Sequence, residues 1–520
     1  MAYVLYNATL HSSRLNRDEA DAVAVSGGRI SAVGRTDEVR RRAGKGASEI
    51  DLAGRSVVPG FIDAHTHLIP ESLAKIRFHL GDVRSPEGLL ERLRERVREV
   101  GAGEAIVGEG WDDSEWGGGY PGREELDAVA PRNPVVLRRV CGHLAIANSR
   151  ALDAIGEEWS EVDRTAGVLR GMVALQVNRI FPPSREDLIR ALRYAEELAF
   201  ASGVTSVHEI ASRGMLQLCM EERERGTLRL RMYFTLPRGD VESARQDGLA
   251  AGTGDEWLRI GGSKIMADGS VGAKTAALLE PYAGDQENRG MLLHSDEEMA
   301  EMVGRFHGDG CQVLTHAIGD RSVRQVVGAY ERVMGAGGNA LRHRIEHVEM
   351  ADPADLERMA RLGIIACMQP NFVVRWGRRG GMYEALIGEE RLRTSNRFRT
   401  MREMGIRVAF GSDCMPVSPL YGLDGAVNHT NPDESLSLDE AVECYTAEGA
   451  YAAFEEGEKG RIEEGSVADL AVLSGNLLEV ERPSDLQIMT TIVGGAVVYG
   501  ALPGGAESLS DFSVDTTKTA

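Results

Sequence analysis

The sequence predicts an α/β protein built on a (β/α)8 TIM-type barrel. A small β domain made by both chain ends and a subdomain inserted after the first barrel strand complete it. Three observations carry this. Eight strand-like runs alternate with helix-like runs through the middle of the chain, the pattern of a parallel barrel. Both ends read as short alternating strands separated by glycine turns. One connection, from His67 to Val204, is far longer than a βα loop or even a whole βα unit.

Taken in order, residues 1–58 hold AYVLYNATL, AVAVSGGRISAVG and SVVPG, and residues 462–505 hold IEEGSVADLAVLSG and IMTTIVGGAVVYG. Their alternation suggests antiparallel pairing, and the two ends are expected to form one composite β domain. The barrel domain spans 59–461. Its strands are expected at 57–65, 204–209, 228–235, 258–266, 311–316, 342–347, 363–369 and 406–413. Ser295 with Glu298 and Ser437 with Glu440 are capping boxes that begin two of the intervening helices. The inserted subdomain, about 70–183, contains GEGWDDSEWGGGYPG and CGHLAIANS. Emerging after the first strand, it is expected at the barrel's C-terminal face, where βα loops build active sites. The small, polar stretch 506–520 reads as a flexible tail.

Composition excludes several classes. A formal net charge of −21 argues against a nucleic-acid partner, which calls for a basic face. No apolar run is long enough to span a membrane, and the N-terminus lacks the ordered parts of a signal peptide. The six cysteines are scattered without a C-x-x-C pair, which reads as reduced thiols in a cytoplasmic protein. A small-molecule substrate is the expected partner, and homo-oligomerisation is left open.

The chemistry lies at the strand ends. His65 and His67 close the apolar run PGFIDAHTH. At i and i+2 on a strand they point the same way, so both imidazoles can reach one metal ion. Lys264, His316, His347 and Asp413 stand at the ends of the fourth, fifth, sixth and eighth strands. A barrel gathers strand ends into a ring whatever their separation in sequence. Six candidate ligands on five strands, all at one end, therefore reverse the bland reading that each residue would merit alone.

PGFIDAHTH, KIMADGSVGAKTAAL, THAIGD, RIEHVE and FGSDCMP, in this order, resemble the amidohydrolase superfamily. Within it they resemble the branch called amidohydrolase family 3, which includes N-substituted formamide deformylases. It covers about residues 1–500. The resemblance implies metal-dependent hydrolysis on a barrel with an adjoining β-sandwich. His65 and His67 would bind a buried metal, and His316 and His347 a second. Lys264 would be the lysine that CO2 carboxylates to bridge them, and Asp413 both a ligand and the proton carrier. The cofactor expected is one or two divalent ions, zinc first. Free Lys264 would be a buried cation beside imidazoles and metal, whereas the carbamate is an anionic oxygen ligand. His143 in CGHLAIANS resembles the family's Gly-His segment and is the second catalytic candidate. Trp111, Asp112, His143, Asp320 and Gln369 are the candidate substrate contacts. Core packing explains Trp111 equally well, and helix capping explains Asp320 almost as well.

The implied reaction is cleavage of a non-peptide C–N bond, with N-substituted formamides or related N-acyl amines as the best-fitting substrates. A deaminase or a cyclic-amide hydrolase on the same barrel, and a non-catalytic scaffold, are the rivals. His343-Arg-Ile-Glu-His347 matches H-x-x-E-H, an inverted zinc-protease signature, but that motif needs a helix and this segment reads as strand. Gly117-x-Gly119-x-x-Gly122 matches a dinucleotide fingerprint in letters only.

Overall fold

The computed structural model describes residues 2–503 apart from 14, 115, 117, 118, 158 and 160. The tail expected at 506–520 lies outside the described residues. Two compact units emerge: one runs to Leu68 and resumes at Glu196, and the other spans Ile69–Ala195.

The first unit contains eight parallel strands. They are β1 (Phe61–Thr66), β2 (Val204–Ile210), β3 (Arg231–Pro237), β4 (Leu258–Met266), β5 (Val313–Ala317), β6 (Arg344–His347), β7 (Ile365–Met368) and β8 (Val408–Phe410). They lie side by side in chain order, each hydrogen-bonded to the next, as a TIM barrel requires. The segment after β8 closes the ring. Asp413 N donates to His65 O at 2.9 Å, and Ser412 N donates to Asp63 Oδ1 at 2.8 Å. Gly411 permits that approach, because a Cβ there would lie 2.4 Å from His65 N. Helices Asp296–Gly308 and Leu438–Cys444 begin with the capping boxes of Ser295 and Ser437.

The run expected as one strand at 57–65 is two. Ser56–Pro59 pairs with Leu470–Leu473, whereas Phe61–Thr66 is β1. Gly60 is the point of transfer: its N–H donates to Asp469 O, and a Cβ would collide with Thr205 Oγ1 at 2.2 Å. No side chain fits where the chain leaves one sheet for another.

Two further sheets in this unit use the chain ends. One orders Arg29–Gly34, Ala22–Ser26, Ala2–Tyr6 and Ser48–Asp51. The other orders Thr9–Leu10, Ser56–Pro59, Leu470–Leu473, Ile488–Val493 and Ala496–Gly500. Tyr3, Leu5, Val23 and Val25 share one apolar core with Val57, Leu470, Val472 and Ile492, so each sheet buries a face against the other. A buried ion pair, Arg231 Nε to Asp469 Oδ2 at 2.8 Å, ties β3 to this layer.

The second unit holds a six-stranded sheet with Ile106–Trp111, Val135–Arg139 and Leu144–Ala147 at its centre. Each face covers its own apolar core. No helix among the described residues is long and apolar enough to cross a membrane.

Candidate functional site

β1 delivers both His65 and His67 on one face, with ring centroids 5.6 Å apart. His65 is buried, and the His67 side chain is 37% exposed. Beyond β8, Asp413 brings Oδ1 to 3.8 Å from His65 Nε2 and 3.7 Å from His67 Nε2. Lys264 of β4 places Nζ 3.4 Å from His65 Nε2. His347 of β6 lies 4.8 Å from the His65 ring and 4.5 Å from that of His316 on β5, centroid to centroid. The six strand-end residues singled out in the sequence thus form one cluster inside the barrel.

Each of the four imidazoles has one ring nitrogen engaged by an oxygen acceptor. His65 Nδ1 pairs with Glu346 Oε2. His67 Nδ1 donates to Ile210 O at 2.9 Å, His347 Nδ1 to Gln369 Oε1 at 2.7 Å and His316 Nε2 to Gly269 O at 2.9 Å. The N–H of a neutral ring sits on the nitrogen facing the acceptor, so the opposite nitrogen keeps its lone pair. This is how histidines are oriented as metal ligands. Burial, reinforced for His65 by Lys264 and for His347 by His316, holds both rings well below the usual imidazole pKa, hence neutral. Burial also pushes the Lys264 amine down to about 8 and raises Asp413, with His67 and Lys264 opposing the latter shift.

The backbone is strained at two of these strand ends. His347 and Val348 have φ of 75° and 47°, and Asp413 and Cys414 have φ of 50° and 60°. Two successive non-glycine residues in the left-handed region are costly and persist only where the surroundings impose them. Around His347 the bend defeats strand alternation. Glu346 already faces the barrel interior, bonded to His65, and His347 nonetheless reaches His65 and His316.

The chemistry of this donor set fits a divalent cation: a lone-pair nitrogen on each of four imidazoles, one carboxylate and one amine whose pKa burial lowers. A model of the amidohydrolase family matches residues 48–499.

The chain belongs to that family.

An N-substituted formamide deformylase of Arthrobacter pascens is 30% identical over 95% of this chain and 98% of its own length. Protein LONG AFTER FAR-RED 3 of Arabidopsis thaliana is 28% identical over 95% and 91%. The crystal structure of an uncharacterized metal-dependent hydrolase from Pyrococcus furiosus superposes with a TM-score of 0.79. It is 28% identical, covering 91% of this chain and 98% of its own.

Within this amidohydrolase, other polar groups hold the cluster. Arg344 Nε donates to Glu346 Oε1 at 2.7 Å, both side chains being fully buried, and Arg344 Nη1 donates to His208 Nδ1 at 2.8 Å. Asp268 accepts from the N–H groups of Ala277, Ile318 and Gly319 and from the Ser322 hydroxyl, and it lies 3.4 Å from His316 Nε2. Glu209 Oε2 accepts Leu68 N at 2.9 Å, fixing the chain just beyond His67. Sequence reasoning missed Glu346, and weighed Asp268 only as an ion-pair partner of Lys264. For Glu346 the available signal was its spacing, two residues from Arg344 on one strand face.

The candidate substrate contacts have other partners. Gln369 is buried, with its amide oxygen on His347. Asp320 Oδ1 accepts from Leu279 N and Arg321 N, pinning the loop after β4 to helix Asp320–Met334. In the second unit Trp111 is fully buried against Trp116 and Tyr120, and its indole N–H donates to Leu137 O at 2.9 Å; the structure gives it a packing role. Asp112 is exposed and accepts from Arg139 and Ser114 N. His143 is exposed in the turn before Leu144–Ala147. His343 stands just before β6, off any helix. Its Nδ1 accepts Val313 N and its Nε2 meets His307 Nδ1 at 2.8 Å, which removes the H-x-x-E-H reading.

Proposed function

We propose that the protein is a metal-dependent hydrolase of a non-peptide C–N bond, acting on N-substituted formamides or related N-acyl amines. The observation that carries this is the acceptor on every imidazole of the cluster, which leaves each ring a lone pair, with His65 and His67 gathered about the Asp413 carboxylate and His65 beside the buried Lys264 amine. The formamide deformylase relative supports the substrate class, and the Pyrococcus relative supports metal dependence.

His65, His67 and Asp413 would hold one divalent ion, and His316 and His347 a second, with zinc the first candidate for both. When bound, such an ion acidifies water and polarises a carbonyl. Lys264 would bridge as a carbamate: its neutral amine attacks CO2, forming the N–C bond and releasing one proton. A buried amine is the form ready for that step. Asp413 Oδ1 takes the proton of the attacking water and passes it to the leaving nitrogen, which departs as a neutral amine.

Elemental analysis of natively purified protein, followed by a screen of formamides, N-acyl amines and cyclic amides, tests the reading. Divalent metal near stoichiometry and formamide turnover abolished by chelation are expected. Full turnover by chelated protein would overturn it; turnover of cyclic amides alone would move the substrate class.

A further inference from the structure

The cluster explains how a carbonyl could be attacked but not which substrate brings it. The aromatic residues of the insertion would be the natural place to seek an apolar pocket, yet Trp111 and Trp116 are committed to a core. Large apolar side chains that face solvent lie elsewhere. Met266, Met291, Leu293, Met382 and Met415 are all more than a third exposed, and all stand in or beyond the ends of β4, β7 and β8.

Met266 is the most telling. It ends β4 two residues after Lys264, so the two side chains share a strand face, and in the ladder it is level with His316. Of the eight residues of β4 before it, all are buried except half-buried Arg259, yet Met266 is 42% exposed. It therefore overlooks the cluster from the barrel mouth. Met415, 39% exposed, follows Asp413 by two residues. On a third side Phe372 lies parallel to the His347 ring, 9° between planes at 6.2 Å, and half-buried Trp376 packs 4.8 Å from Phe372. Exposed apolar surface thus stands at the ends of β4 and β8 that carry Lys264 and Asp413, and buried Phe372 backs His347 beyond β7. Water makes such surface unfavourable unless a ligand covers it.

We infer that this rim receives the apolar N-substituent of the substrate, with Met266 as a specificity-determining residue. The inference rests on the hydrolase reading for its choice of occupant. Unbranched thioether side chains adapt to ligands of different width, so the rim accepts linear alkyl and benzyl groups alike. The substrates are then formamides of lipophilic amines rather than of charged or sugar-like ones.

The test uses the metal-replete full chain. Calorimetric dissociation constants are measured for formamide and its N-methyl, N-propyl, N-butyl and N-hexyl derivatives in an Asp413→Asn background, and kcat/KM for the same series with Asp413 intact. Affinity is expected to rise by up to about fourfold per methylene. Met266→Glu should flatten that series without changing metal content, and Met266→Ala, a milder change, should reduce its slope. A flat series in the parent, or an unchanged slope in both Met266 variants, overturns the inference. Turnover with a flat series breaks the rim and spares the hydrolase. A chain-length slope without turnover by the intact enzyme does the reverse.

Discussion

Two histidine groups in the barrel unit look alike on paper and behave differently. His65, His67, His316 and His347 each give one nitrogen to an oxygen acceptor and carry a lone pair on the other. His307 and His343 bond to each other, and the remaining His343 nitrogen accepts the Val313 N–H. Both groups are hydrogen-bonded, so burial and bonding alone do not mark a site. The difference lies in what is left over. In the first group the ligand atoms of His65, His67 and Asp413 all lie within 4.8 Å of one another beside the Lys264 amine, whereas His343 uses both of its nitrogens to hold β5 and helix Asp296–Gly308.

Asp413→Asn should break this comparison hardest. The amide keeps the size of the carboxylate but cannot take a proton from water. Turnover is expected to fall by about 10²–10⁴-fold with much of the bound metal retained. Near-normal turnover with full metal occupancy would remove Asp413 as the proton carrier.

Gln369→Leu sharpens the claim about acceptors. It removes the oxygen that fixes the His347 tautomer and leaves the imidazole itself in place. Metal affinity should weaken by roughly 10–100-fold, the usual effect of losing such a supporting bond. Competitive titration with a chelator of known affinity reads this directly. An unchanged affinity would mean that the barrel walls alone orient His347.

How much of this was legible beforehand differs between strands and supports. β4 lies at 258–266, as the pattern indicated, because turn residues bound an apolar run at each end. β1 was misjudged at its start. Ser56–Pro59 and Phe61–Thr66 are buried throughout, so no alternation marks the change of sheet, and only Pro59-Gly60 hints at it. Ligand-type side chains at strand ends could be picked out because a barrel fixes where strand ends go. Their supports could not. The oxygens of Ile210 and Gly269 belong to the backbone, which carries no sequence signal, and Glu346 reads as an ordinary charge until β6 is seen to turn it inward toward His65. Trp111 is the case in which two readings of an aromatic-rich segment stood equal, and the structure packs its side chain into a core.

His343→Gln makes the smallest change at neutral pH and separates the two histidine groups most cleanly. Metal content and turnover should stay at parental levels, since His343 touches none of the six cluster residues through its hydrogen bonds. The effect belongs to stability in acid. Burial, with His307 adding to it, pushes His343 down to about 3 from an ordinary value near 6.5. The Tyr330 ring and Asn339 complete its surroundings without offering a carboxylate. Between pH 6.5 and 3 the unfolded chain binds a proton at this position and the native state does not. Stability therefore rises with pH across that window and is lost as pH falls through it, by an amount on the order of a few kcal/mol. The glutamine amide can still accept the Val313 N–H but does not titrate. Denaturant midpoints for the variant should decline less steeply than the parent's from pH 6.5 to 4. Parallel declines would place the acid sensitivity elsewhere, and a loss of metal in the variant would merge the two groups into one.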